Sequence, residues 1–510
     1  MPTASGRRRF VQGMAALGGS LLAGSGVAAT ARLPLAEYEQ MDATALAEHI
    51  RHGRLTPVEL LDAVIARIEA RSALNAVVLR HFDMAREAAV KMSGLGKAAR
   101  EHLPVLHGVP FALKDLGIGL QGTVTTHGSR FFQDAVAAQD STLVARYKAA
   151  GLNICAKTAS PEFGQTSTTE SSLWGVTPNP WDRRYSAGGS SGGSAVAVAA
   201  CLFPVVHATD GGGSIRIPAA HCGVFGLKPS RGLLPAGPQV MEATFGLSTS
   251  GVISRSVRDT ALLLELTQGR EPGGRVGPPR VDLLAAMRRP EKGLRIALMT
   301  DSPFGNPVHT DCLQAVERAA RQCEALGHRV ERAVPRLPVR EMFSSLGFAM
   351  GSAMLASFRS REAALGRAVT EADVEPLNWR TLRLASGYTA EQLYQARVIF
   401  DQASRALDEF FASYDLLLSP VTAGPPPLVG ELSLDQHYER FVQAAIKSSG
   451  FTSIHNICGT PAMSVPLHWN VDGLPIGVQF AAPFGGEGRL LGLAAQLEQA
   501  MPWNKKYPPL

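Results

Sequence analysis

The chain has 510 residues, of which 45% are hydrophobic and 18% charged, with 51 glycines and 33 prolines; that composition fits a soluble globular protein and excludes a fibre or a disordered chain. The length is enough to bury a large core and to wall off a water-poor pocket. Of the formal net charge of +6, Arg7, Arg8 and Arg9 carry half, and the rest is too small and too dispersed for a nucleic-acid partner, which needs Lys and Arg clustered on one face.

The first 31 residues contain no acid and read as an address. Arg7-Arg8-Arg9-Phe10-Val11 follows the twin-arginine pattern Arg-Arg-x-Phe-apolar, a weakly apolar run covers 14–29, and Ala29-Thr30-Ala31 offers a small-x-small cleavage site. The run is too short and too rich in Gly and Ser for a membrane span. The reading is a leader over 1–31, export to a bacterial periplasm, and a mature start near Arg32; an uncleaved basic tail is the alternative. Cys155, Cys201, Cys222, Cys312, Cys323 and Cys458 are scattered without paired spacing, so they read mostly as small buried apolar residues. No Cys-x-x-Cys, Cys/His or His-Glu-x-x-His pattern occurs, so no metal and no cofactor is expected.

The mature chain reads as one unit over 32–510. Thr56-Pro57-Val58-Glu59 is a capping box with Pro at the first helical position, and Leu60, Leu61, Val64, Ile65 and Ile68 follow at helical spacing. From about 107 to 235 the texture changes to short apolar runs with many Gly and Ser residues. Residues 270–293, rich in Pro, Gly and Arg, mark a surface connection. After it, 294–299 reads as a buried strand and 311–326 as a helix. A second helical region, about 339–411, is placed as a cap over the sheet, before strand-like 416–418. Two extended segments within 461–480 meet at the turn Asp472-Gly473, and a helix over about 488–501 closes the chain. Strands alternating with helices predict an α/β layered fold.

The chemistry concentrates in two Gly/Ser loops whose central serines lie 24 residues apart: Gly188-Gly189-Ser190-Ser191-Gly192-Gly193-Ser194 and Asp210-Gly211-Gly212-Gly213-Ser214-Ile215-Arg216-Ile217-Pro218. Glycines around a serine let backbone N–H groups converge on one point, as a developing oxyanion requires. Taken alone, either loop reads as a turn; the pair is the signal. Gly188 to Gly192 also fits Gly-x-Ser-x-Gly, which would make Ser190 the attacking group with a later Asp and His, but the Gly/Ser run lacks the order strand, elbow, helix. Upstream, Gly108-Val109-Pro110-Phe111-Ala112-Leu113-Lys114-Asp115 sets a lysine at the end of an apolar run. Burial there would lower its pKa and let it act as a base; pairing with Asp115 is the bland alternative.

In this order, these three pieces resemble the amidase signature family. The resemblance continues through Cys222-Gly223, Gly226-Leu227-Lys228-Pro229 and Asp472-Gly473-Leu474-Pro475-Ile476-Gly477-Val478-Gln479, covering nearly the whole mature chain. It implies a central mixed, twisted β-sheet covered on both faces by α-helices, and a hydrolase of carboxylic amides working through an acyl-enzyme. The roles it implies are Ser214 as nucleophile, Ser190 as proton relay and Lys114 as base. It also implies a cis peptide from Gly189 to Ser190, an oxyanion hole from the N–H groups of Gly211, Gly212, Gly213 and Ser214, and support of that loop by Asp210 and Arg216. Position 211 departs from the family, which often has Thr, Ile or Ala there, so a looser loop is expected. Lys157, Lys228 and Ser194 are read as structural.

Substrate choice is assigned to 121–131, 161–174, 239–249 and 342–354, around an apolar pocket for a small-molecule amide. Thr168-Thr169-Glu170, Trp174-Gly175, Asn179-Pro180-Trp181, Ala495-Gln496-Leu497-Glu498 and Pro502-Trp503 look similar to the family's bacterial 6-aminohexanoate cyclic-dimer hydrolase branch, which implies linear or cyclic aliphatic amides. Three alternatives stay open: a glutamine-hydrolysing amidotransferase subunit, against which the export signal argues; a urethane or ester hydrolase using the same site; and a binding protein that kept the fold. A homodimer is also open.

Overall fold

The computed structural model describes residues 35–94, 102–448 and 450–510; the leader assigned to 1–31 lies outside the described residues. Helix formation starts where the capping box places it. Thr56 Oγ1 accepts the Glu59 N–H at 3.2 Å while Glu59 Oε2 accepts the Thr56 N–H at 2.9 Å, and helix Pro57–Ala70 follows. Its apolar stripe, Leu60, Leu61, Val64 and Ile68, is fully buried, each side chain contributing about 1.5–3 kcal/mol of transfer free energy.

Thirteen strands are described. They are β1 (Val77–Arg80), β2 (Pro110–Lys114), β3 (Asn153–Thr158), β4 (Glu170–Ser171), β5 (Gly175–Val176), β6 (Val205–Asp210), β7 (Phe225–Lys228), β8 (Thr249–Ser254), β9 (Arg295–Leu298), β10 (Arg329–Arg332), β11 (Leu416–Pro420), β12 (Ala462–Trp469) and β13 (Pro475–Ala481). Eight form the central sheet in the order β10-β9-β11-β13-β12-β7-β8-β6. It is mixed: β9 pairs in parallel with β10 and β11, and the remaining pairs are antiparallel. A smaller sheet, β1-β3-β2, stands beside the β6 edge, where the Lys114 N–H donates to His207 Nδ1 at 3.2 Å in place of a ladder bond.

Helices cover both faces of the large sheet, and residue alternation along each strand divides the core. Ile296, Leu298, Leu416 and Leu418 pack with helices Thr310–Ala325 and Glu487–Ala500. Their neighbours Ala297 and Leu417 pack on the other side with helices Val339–Leu365 and Ala390–Phe411. Covered on both faces, these strands read as continuous apolar runs rather than alternating ones. The helical region expected over 339–411 is three helices, with Pro376–Ala385 between the two long ones.

Two segments hold helices that residue spacing does not reveal. The run around Val196 is helix Gly192–Ala199, buried on every side; without a polar face it shows no period from which to distinguish helix from strand. The surface connection 270–293 contains a helix, Leu283–Arg288, started by Asp282 accepting the Ala285 N–H at 2.8 Å and anchored by buried Leu283. Six residues are too few for periodicity to reveal.

Candidate active site

Lys114 ends β2, fully buried. Its Nζ lies 2.7 Å from Ser190 Oγ and 3.0 Å from Thr209 Oγ1. Burial pushes its pKa down from 10.5 to about 7 against the opposing pull of Asp210, so neutral and charged amine coexist near neutrality. The alternative partner is otherwise engaged: Asp115 accepts the Thr126 N–H at 2.8 Å, the Thr126 hydroxyl and the Trp174 Nε1–H at 3.2 Å. Thr209, adjacent to Asp210 on β6, carried no signal in the sequence.

Ser190 sits in a turn whose Gly189–Ser190 peptide is cis. Position 189 admits only glycine, because a Cβ there would stand 2.2 Å from Thr168 O. A helix follows the turn, but loop precedes it, so the strand-elbow-helix arrangement is absent. The next residue stitches the two loops together. The Ser191 N–H donates to Ser214 O at 3.2 Å and the Ser191 hydroxyl to Thr209 O at 3.1 Å.

The second loop turns around Asp210 at the end of β6. Asp210 and Arg216 form an ion pair at 2.8 Å with both side chains fully buried. Burial alone would raise the Asp210 carboxyl, but the Arg216 guanidinium holds it well below the usual range. Asp210 also accepts N–H groups from Gly213 at 2.7 Å and Ile215 at 3.1 Å, and the Asn456 Nδ2–H at 2.9 Å. Arg216 reaches on to Thr452 O and Gln479 Oε1, each at 2.8 Å. These contacts join the loop to β13 and to helix Ser453–Ile457, more than two hundred residues away; nothing in the sequence links Asn456, Thr452 or Gln479 to it.

One expected member of the oxyanion set does not fit. The Gly213 N–H is already donated to Asp210, so it cannot also face a ligand. The N–H groups of Gly211, Gly212 and Ser214 have no hydrogen-bond partner among the described residues, and all three residues line the cavity. Gly213 has φ +137, and a Cβ there would meet Thr452 Oγ1 at 2.5 Å, so its glycine serves the turn itself. At position 211 an added Cβ would meet only Ser248, at an ordinary 3.6 Å. Gly212 O accepts the Thr452 hydroxyl at 2.6 Å and the Ser453 hydroxyl at 3.0 Å, which gives the loop from outside the hold that a side chain at 211 would lend.

Ser190 and Ser214 line one cavity of about 420 Å³. The Ser214 hydroxyl has no protein partner among the described residues, so the structure links lysine to the first serine and leaves the second free at the cavity wall. All four stretches assigned to substrate choice contribute, among them His127, Phe163, Met241 and Met354. Arg231, Gly232, Leu234, Pro235 and Ala236, and Phe441 of helix Tyr438–Ser448, also line it, and neither group was legible in advance. The walls mix apolar side chains, such as Phe163, Met241, Met354 and Phe441, with polar ones, such as Gln165, Thr166, Arg231 and Glu242. Arg231 is tied to backbone carbonyls, with Gly246 O and Ile457 O each at 2.7 Å. The residues read as structural are held elsewhere: Lys157 Nζ by Val124 O and Thr125 Oγ1, Lys228 Nζ by Pro229 O, and Ser194 Oγ by His207 O. All six cysteines are buried and unpaired. Among the described residues no group of three or more His, Cys, Asp or Glu could hold a metal ion, and no helix is long and apolar enough to cross a membrane.

A mixed sheet covered by helices on both faces is a fold this chain shares with solved amidase signature enzymes. The Amidase family model matches residues 59–491, and the chain belongs to that family: it is an amidase, a hydrolase of amide bonds. It is 36% identical over 488 residues to the 6-aminohexanoate-cyclic-dimer hydrolase of Paenarthrobacter ureafaciens, covering 92% of this chain and 96% of that one. Its fold matches the solved structure of a 6-aminohexanoate cyclic dimer hydrolase complexed with substrate at a TM-score of 0.85, with 34% identity over 92% of this chain and 99% of the other. A bacterial aryl acylamidase matches at a TM-score of 0.82 and 26% identity over 91% and 97%.

Proposed function

We propose that the enzyme cleaves small linear or cyclic carboxylic amides through an acyl-enzyme on Ser214, with Ser190 as relay and Lys114 as base. The single observation that carries this reading is the 2.7 Å contact between the fully buried Lys114 Nζ and Ser190 Oγ, at the wall of the cavity that Ser214 also lines. Neutral Lys114 takes the Ser190 proton while Ser190 takes that of Ser214, and the Ser214 oxygen bonds to the amide carbon. The carbonyl oxygen gains the electron pair and is received by the N–H groups of Gly211, Gly212 and Ser214. Collapse breaks the carbon–nitrogen bond, and the amine leaves with a proton returned through Ser190. Water then loses a proton through the same relay, attacks the ester, and releases the acid as Ser214 is reprotonated.

The apolar part of the wall, with Phe163, Met241, Met354 and Phe441, supports aliphatic or aryl substrates, and the relatives' names support cyclic and linear amides. The leader motif supports action after export, with a mature start near Arg32 that N-terminal sequencing of the exported protein would read. The decisive experiment screens purified protein against aryl amides, peptide amides and lactam dimers, alongside Ser214→Ala. We expect the variant to keep the native circular dichroism and lose both turnover and labelling by a fluorophosphonate. Retained turnover in Ser214→Ala overturns the assignment.

A further inference from the structure

We propose that His127 is a specificity-determining residue whose neutral imidazole donates Nε2–H to a second acceptor oxygen of the substrate, away from the bond that is cleaved. This rests on the amide-hydrolase reading of the cavity above. His127 is half-buried and lines the cavity with Ser190 and Ser214. Its Nδ1 lies 3.3 Å from the Gly117 nitrogen and accepts that N–H, which places the ring proton on Nε2. Nε2 has no hydrogen-bond partner among the described residues. A donor left open beside a cavity is satisfied by whatever fills it.

The ring is also held in position. It stacks on Phe163 at 5.2 Å and 18° and stands edge-on to Phe132 at 5.2 Å and 80°. The His127 carbonyl accepts the Phe163 N–H at 2.7 Å. His127 itself has φ +55, a conformation in which few side chains are found. The neighbour of Phe163, Gly164, lies so close to the turn that a Cβ there would be 2.9 Å from Ser190 Oγ. The imidazole thus stands one packed residue from the reacting serines. Burial, with Lys157 behind it, pushes its pKa down to about 4, so around neutrality it offers one donor and no charge.

A donor that carries no charge favours a carbonyl over a carboxylate. The substrate class this selects is neutral amides bearing a second carbonyl, open-chain or cyclic diamides among them. The test compares adipamide with hexanamide, which differ in the second carboxamide, in the wild type, His127→Phe and His127→Gln. Phenylalanine keeps the ring and its stack and removes the donor, at a backbone conformation that Phe163 already adopts with φ +51; glutamine retains an N–H.

One hydrogen bond predicts an adipamide-to-hexanamide ratio of kcat/KM roughly 5- to 10-fold lower in His127→Phe than in the wild type. His127→Gln should recover part of the preference. An unchanged adipamide-to-hexanamide ratio, or an equal loss on both amides, overturns the proposal, as does a wild type that cleaves other amides but shows no preference for adipamide. If His127→Phe does not fold, His127→Ala reads the same ratio. A wild type inactive on every amide would instead refute the hydrolase reading beneath it.

Discussion

Replacing Lys114 by methionine separates its catalytic use from its structural cost. A lysine whose pKa falls from 10.5 to about 7 on folding penalises the native state by about 5 kcal/mol below pH 7, where the buried amine must carry its charge. The folded pKa is depressed, so the unfolded chain binds more protons between the two values. Stability therefore rises across pH 7 to 10.5 and the penalty is gone at the upper end. Methionine removes this penalty and also removes the contacts to Ser190 and Thr209, each loss costing about 1–3 kcal/mol. The expected result is a net gain of roughly 2 kcal/mol at pH 6 that becomes a loss near pH 10, read from urea midpoints at the two pH values. Activity should fall by about 10²- to 10⁴-fold, the contribution of a general base. Equal destabilisation at both pH values, or turnover within tenfold of wild type, would refute the buried neutral base.

Three further substitutions probe the frame around the site. Gly213→Ala places a Cβ 2.5 Å from Thr452 Oγ1 at φ +137, whereas Gly211→Ala meets only Ser248 at 3.6 Å. The first should lower the melting temperature and abolish amide cleavage; the second should keep both, with a gain of about 0.5 kcal/mol from the reduced freedom of the unfolded chain. Glu375, whose Oε1 accepts the Ser172 N–H at 2.7 Å, is pushed up to about 7 by burial, with Glu162 adding to the effect. Its folded pKa is raised, so the native state loses stability as pH climbs from about 4.5 to 7. Glu375→Gln keeps the acceptor and should gain about 1–3 kcal/mol at pH 8 and nothing at pH 4, measured by chemical unfolding; a pH-independent difference would contradict it.

What could be read in advance is what short stretches of chain decide for themselves. The capping box at Thr56, the turn at Asp472-Gly473 and the two Gly/Ser loops each depend on residues a few positions apart, whose backbone conformations and hydrogen bonds are set locally. Those loops, with Lys114, were also dense enough to show a family resemblance, and through it a fold and a set of expected roles. Contacts across long chain separations left no such trace. The Asp210–Arg216 pair is legible as two charges six residues apart, yet what stabilises it is Asn456, Thr452 and Gln479, brought there by a strand order in which β13 and β12 insert between β11 and β7. The Gly213 N–H, by contrast, is claimed within its own loop by Asp210, while packing left His127 an open donor at the cavity. Residue spacing specifies which groups exist and how each segment bends; only the packed sheet decides which of them remain without a partner, and those are the groups left to meet a substrate.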